Sequence, residues 1–154
     1  LFRETFDPLS DPADMALYCA KAFAVEQYAA ELGDPACHFL LAELDEGEPV
    51  KRLIAYAKLR TGYIPACVPD REAIELCRLY VDFAFHRTGL AAQMLDRCIE
   101  IARRRGHKTM WLGVWDKNPR ARRFYAKHGF REIGEHPFLF GNDLQSDLVA
   151  VRAL

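Results

Sequence analysis

The chain has 154 residues, 51% of them hydrophobic, which is the length of one ordinary domain over residues 1–154 and enough apolar surface for one sizeable core. A net charge of −1 speaks against wholesale nucleic-acid binding; the lack of any 18-residue apolar run, and an opening LFRETFDPLS without signal-peptide order, set the expectation of a soluble, cytoplasmic protein outside the membrane. The charge is nevertheless uneven: residues 1–50 hold eleven acids and two bases, whereas residues 97–127 hold ten bases and two acids, so an anionic ligand is favoured in the second region.

In chain order, residues 11–35 open on an Asp-Pro start signal and close on Gly33 and Pro35, reading as one broken helix or two short ones. Residues 37–62 hold two apolar runs separated by Gly47 and Pro49, a β-hairpin pattern. AIELCRLYVDFAF (73–85) reads as a long strand. From Thr88 the period changes, and Leu90, Ala91, Met94, Leu95, Cys98 and Ala102 form one apolar helix face that ends at Gly106. A strand (108–115), a helix with Pro119 near its start and Gly129 at its end (118–129), a strand (130–136) and a last strand (147–154) follow. Strands mixed with helices predict an α/β or α+β domain built on one sheet.

Several chemistries find no support. Neither G-x-x-x-x-G-K-[ST] nor G-x-G-x-x-G occurs, Ser10 and Ser146 lie outside any G-x-S-x-G elbow, and H-E-x-x-H is missing. The five cysteines (19, 37, 67, 77 and 98) lack a C-x-x-C pair and the five histidines (38, 86, 107, 128 and 136) lack metal-ligand spacing, so no metal is expected. What stands out is FHRTGLAAQML (85–95), where a strand turns into a helix through polar residues. A helix N-terminus with Gly89 beside small Ala91 and Ala92 suits a phosphate, since bare backbone N–H groups face it closely. The same turn also reads as an ordinary connection with Thr88 as N-cap.

LYVDFAFHRTGLAAQML resembles the acyl-CoA pyrophosphate motif of the GNAT acetyltransferase superfamily, Q/R-x-x-G-x-G/A, with Gly89 and Ala91 in the matching places and His86 where the family has Gln or Arg. NPRARRFYAKHGF resembles that superfamily's second motif through Asn118, Ala121, Phe124, Tyr125, Gly129 and Phe130. With IELCRLYV and the EHPFLFGNDLQSDL tail, the chain looks closest to the bacterial PaiA-type polyamine N-acetyltransferases. The resemblance implies the GNAT fold: a mixed central sheet of six to seven strands flanked by about four helices. It also implies that a strand and most of a first helix precede the first residue here, and that a homodimer is one possible assembly.

The implied activity is transfer of acetyl from acetyl-CoA to a primary amine, a polyamine or another small cation, by direct attack. The implied coenzyme A contacts are Leu79, Tyr80, Val81, His86, Arg87, Thr88, Gly89, Leu90, Ala91, Asn118 and Tyr125, with Arg122 and Arg103–Arg105 as further bases near the phosphates. An alkylamine with a pKa of ~10.4 is almost wholly protonated at neutral pH, so its deprotonation costs roughly 4–5 kcal/mol. Glu75, on the strand entering the motif, is the first candidate to stabilise the cation and pass its proton to water, and Glu26 is a weaker candidate for recognising it. A backbone N–H on a splayed strand around Leu79 to Val81 suits the oxyanion, and Tyr125 suits protonation of the departing thiolate. Two other readings remain: a non-catalytic acyl-CoA-binding regulatory module, and a nucleic-acid binder acting through RRRGHK.

Overall fold

The computed structural model describes residues 11–47, 49–140 and 142–154. Helices α1 (Pro12–Ala22) and α2 (Val25–Gly33) precede strands β1 (Cys37–Leu44), β2 (Arg52–Arg60) and β3 (Ile74–Val81). Helix α3 (Leu90–Arg104), strand β4 (Thr109–Trp115), helix α4 (Pro119–Lys127) and strands β5 (Arg131–Phe140) and β6 (Asp143–Ala153) follow. One six-stranded sheet runs β1-β2-β3-β4-β6-β5, antiparallel throughout except for the central β3–β4 pair. The mixed sheet and its four helices match the expected fold.

Local chemistry sets the boundaries. Asp11 caps α1 by accepting from the N–H groups of Ala13 (2.8 Å) and Asp14 (3.3 Å), and Pro12 takes the first helical position. Residues 11–35 thus form two helices, broken at Phe23 and Ala24. The strand expected over 73–85 stops at Val81, because Asp82 accepts from the Ala84 N–H (2.9 Å) and bends Phe83–Phe85 into a 3₁₀ turn. The last two strands are longer than expected, since the tail pairs with itself as far as Phe140 and Asp143.

Alternation assigns the two faces. Ala55, Ala57, Leu59, Leu76 and Val81 face α3, whose Met94, Leu95, Cys98, Ile99 and Ala102 are buried against them. Each large side chain so buried contributes roughly 1.5–3 kcal/mol. Glu75 pairs in register with Arg60 on β2 and Trp111 on β4, which puts Tyr56, Lys58, Arg78, Tyr80 and Gly113 on the opposite face, under α1 and α2. Cys77 is the extra residue of a β-bulge, because Lys58 pairs with Arg78 while Leu59 pairs with Leu76.

Trp111, Val149 and Val68 form a second, smaller core where the 61–73 loop covers this face. The loop lies so close to β5 that a Cβ on Gly134 would sit 2.8 Å from Cys67 Cβ. Gly134→Ala is therefore expected to destabilise by about 1–3 kcal/mol. Denaturant melts of this variant with and without Cys67→Gly check it, the double variant recovering part of the loss.

Candidate active site

The β3–β4 ladder is paired at only two positions, Ile74 with Met110 and Glu75 with Trp111; beyond these the parallel strands no longer pair. The Asp82 N–H donates to the Ile54 carbonyl on β2 at 2.8 Å, so by alternation Tyr80 also bonds toward β2, and Leu79 and Val81 turn their backbone groups into the gap. Of the three residues expected to offer a free N–H, Leu79 and Val81 have the right orientation and Tyr80 does not.

At the end of β3 the chain forms a tight turn. Arg87 (φ 65) and Gly89 (φ 90) are both left-handed, and the first bond of α3 is Gln93 N–H to Gly89 O, so the N–H groups of Ala91 and Ala92 have no acceptor in the helix. Left-handed residues in a turn ahead of bare helical donors shape an anion-binding concavity. The cap position is Gly89 and not Thr88. The Thr88 hydroxyl instead donates to Phe85 O at 2.7 Å and receives only a long bond of 3.4 Å from the Leu90 N–H.

His86 bridges the mouth of the gap. Its Nε2 lies 3.1 Å from the Val81 carbonyl, which can only accept, so Nε2 carries the proton and Nδ1 accepts from Arg120 Nη1 at 3.3 Å. The imidazole thereby ties the end of β3 to the first turn of α4. Arg122 is held by Glu132 (2.8 and 3.0 Å) and Arg104 by Glu100, whereas Arg87 is exposed on the turn.

Asn118 is the N-cap of α4, its Oδ1 accepting from the Ala121 N–H at 3.0 Å. Two turns on, Tyr125 packs edge-on to Phe130 and against the core shared with Cys98. Burial, with a smaller push from Cys98, raises its phenol well above the ordinary range. Tyr80 on the facing strand is raised as well, chiefly by burial, and feels Tyr125 among its neighbours.

The carboxylates divide differently from the sequence expectation. Glu75 accepts two bonds from Arg60, both at Oε2 (2.6 and 2.9 Å). Glu26 is exposed in the first turn of α2. Glu31, not singled out in the sequence, is buried at 8% exposure and bonds Lys58 and Arg78, each at 2.8 Å. Arg78 also donates to the Ala22 carbonyl and lies over the Phe23 and Tyr28 rings, fastening both early helices to the sheet.

Sequence reasoning also missed His136 and Asp147, register partners on β5 and β6. A Cβ on Gly113 of β4 would lie 3.0 Å from His136 Nε2 and 3.3 Å from Asp147 Oδ2. Burial pushes the Asp147 carboxyl up to about 6, against the pull of His136 and with help from Asp116. No local motif marks these two residues; only the hairpin register brings them together.

Two surface cavities, of about 380 Å³ beside Arg71 and His107 and about 560 Å³ beside His128 and Arg152, lie away from the gap. Among the described residues no cluster suited to a metal ion occurs, and no helix is long and apolar enough to cross a membrane.

A sheet parted between two parallel strands, with bare backbone donors where β3 turns into α3, is an arrangement that suits an extended, phosphate-bearing ligand. The sequence model of the acetyltransferase (GNAT) family matches residues 3–130, and the chain belongs to that family. Its reaction class is accordingly acetyl-CoA-dependent N-acetylation. The chain is 31% identical to an uncharacterized N-acetyltransferase of Lactobacillus delbrueckii subsp. lactis over 99% of its own length and 86% of the relative's. It is 34% identical to an uncharacterized N-acetyltransferase of Mycobacterium tuberculosis, over 96% and 86%. The crystal structure of the PaiA N-acetyltransferase from Thermoplasma acidophilum in complex with coenzyme A shares its fold, with a TM-score of 0.74 at 18% identity over 99% of this chain and 86% of that one.

Proposed function

We propose that this enzyme acetylates a primary amine on a small cationic acceptor, a polyamine being the first class to test, by direct attack on acetyl-CoA. The β3–β4 gap, open at Leu79 and Val81 and ending on the 86–91 turn, carries the reading. In it the backbone donors from Arg87 to Ala91 seat the pyrophosphate, with His86, Thr88 and Leu90 shaping the turn. Leu79, Tyr80 and Val81 line the acyl arm, and Asn118 holds the start of α4 beside it. The N–H of Leu79 or Val81 meets the oxyanion, whose stabilisation by fixed donors is worth about 3–4 kcal/mol in other acyl-transfer sites.

Tyr125 protonates the leaving thiolate. Its raised value keeps the phenol protonated across the working pH range, so the proton is always present. Glu75 lends negative charge to the acceptor side of β3, although Arg60 offsets much of it. Glu26 is far more solvated, and its part is limited to attracting a cation. Thiol release from acetyl-CoA over a panel of polyamines, amino acids, aminoglycosides and peptide N-termini tests the acceptor. Release confined to cationic primary amines supports the proposal, and release with neutral acceptors alone overturns it. Acetyl-CoA binding by calorimetry with no release on any amine supports a regulatory acyl-CoA-binding module instead.

A further inference from the structure

We infer that the notch above Gly113 is the seat of the acceptor amine, with the Asp147 carboxylate holding the ammonium and His136 Nε2 taking its proton. The inference rests on the acetyl-transfer reading and names the acceptor side of that site.

Gly113 is the second residue of β4 beyond Trp111, the last to pair with β3, so it lies where the gap has opened. It is exposed although Leu112 and Val114 on either side are buried, so the floor of the gap is bare backbone at this one point. The side chains of His136 and Asp147 stand over it, at 3.0 and 3.3 Å from the position of an added Cβ. Even a methyl group here would press on both; glycine lets the carboxylate and the imidazole converge over bare backbone.

The imidazole is set up as an acceptor. His136 Nδ1 lies 3.0 Å from the Pro137 carbonyl, which can only accept, so Nδ1 carries the proton and the Nε2 lone pair faces the notch. Trp111, fully buried, stands edge-on to the ring at 6.0 Å and fixes its plane. The titratable groups coupled to Asp147 from the packed elements are His136 on β5, Asp116 after β4 and Tyr18 on α1. With Asp147 itself that makes two carboxylates to one imidazole, which suits a cation.

The chemistry balances without an added reagent. The ammonium gives one proton to His136 Nε2, which passes it to solvent, and the neutral nitrogen attacks the thioester carbon. A C–N bond forms, the C–S bond breaks, and the nitrogen sheds a second proton. The thiolate gains one from Tyr125, which solvent restores, so the net release is one proton per acetyl group. Glu75 lacks this geometry, because Arg60 donates to its Oε2 twice and neutralises much of its charge.

The test compares wild type, His136→Gln, Asp147→Asn and Gly113→Ala with n-butylamine, 2-methoxyethylamine and trifluoroethylamine, a series of falling basicity. Expected for His136→Gln is a loss of kcat/KM of about 10²-fold with n-butylamine that shrinks toward unity along the series, because a weakly basic amine needs no base. Asp147→Asn and Gly113→Ala are expected to raise the amine KM about tenfold, with acetyl-CoA affinity by calorimetry and the melting curve of His136→Gln held near wild type. Equal losses across the amine series, or losses that track acetyl-CoA affinity, overturn the seat while leaving acetyl transfer standing. A wild-type enzyme that binds acetyl-CoA and releases no thiol with any amine overturns the acetyl-transfer reading and the seat with it.

Discussion

Tyr125→Phe is expected to lower kcat by about 10²-fold while changing acetyl-CoA affinity by less than about twofold. The change deletes one hydroxyl from a side chain whose ring packs against Phe124, Phe130 and the α3 core, so the shape of the gap survives. On the proposed acid role, what disappears is the proton for the thiolate, which leaves unaided more slowly but still leaves, its conjugate acid having a pKa of about 8.5. Because burial raises the phenol, the wild-type profile should show no alkaline fall from Tyr125 up to about pH 10, the ordinary value for a phenol. Single-turnover acetyl transfer against pH, with calorimetry of acetyl-CoA binding, checks both parts. A variant whose kcat equals wild type at every pH removes Tyr125 from the acid role.

The second large effect is on stability. Glu31→Ala strips the shared counter-charge from Lys58, 3% exposed, and from Arg78, whose side chain is 13% exposed. Leaving buried cations unpaired costs about 3–5 kcal/mol, a large part of the 5–15 kcal/mol by which a domain of this size is stable. Arg78 also ties the Ala22 carbonyl, so the loss loosens α1 and α2 together and should raise the amine KM more than it weakens acetyl-CoA binding. Burial by itself would raise Glu31, but the bonds from Lys58 and Gln27 and the charge of Arg78 outweigh it and hold the carboxyl below its usual range. A depressed acid contributes stability above its unfolded pKa and loses it as pH falls through the folded one, so the wild-type advantage should fade below about pH 4. Urea melts of both proteins at pH 7 and pH 3.5 measure it; equal midpoints at pH 7 would show that the cluster stabilises nothing.

Asp147→Asn has the opposite sign. A carboxyl raised in the fold costs stability once ionised, so the cost grows between about pH 4 and 6 and is complete above that. Asn should raise the melting temperature at pH 7.5, by an amount equivalent to about 1–2 kcal/mol, with the gain vanishing toward pH 4. Together with weaker amine binding, that gain would mark Asp147 as a group that serves the acceptor site at the expense of the fold.

Much of the fold was legible because periodicity reports which face of an element is buried. The α3 stripe from Leu90 to Ala102 and the 37–62 hairpin follow from spacing alone. The proposed coenzyme A side of the site draws on local signatures for a related reason: the turn before α3, the N-cap Asn118 and the Tyr125 phenol lie in two contiguous segments, each a local conformation. Thr88 misled because a hydroxyl one residue early satisfies the same residue preference while bonding backward to Phe85.

The acceptor side had no such signature. Glu31 meets Lys58 and Arg78 from elements 27 and 47 residues away, and His136 meets Asp147 only because the β5–β6 register sets them opposite each other. By itself the sequence determined the element types, the phosphate-suited turn and the phenol, since those depend on neighbours within one or two turns of chain. Which carboxylate is neutralised, which is left facing a gap and which glycine is bare were decided by tertiary structure alone, because charge pairing and access depend on distances that no spacing along the chain records.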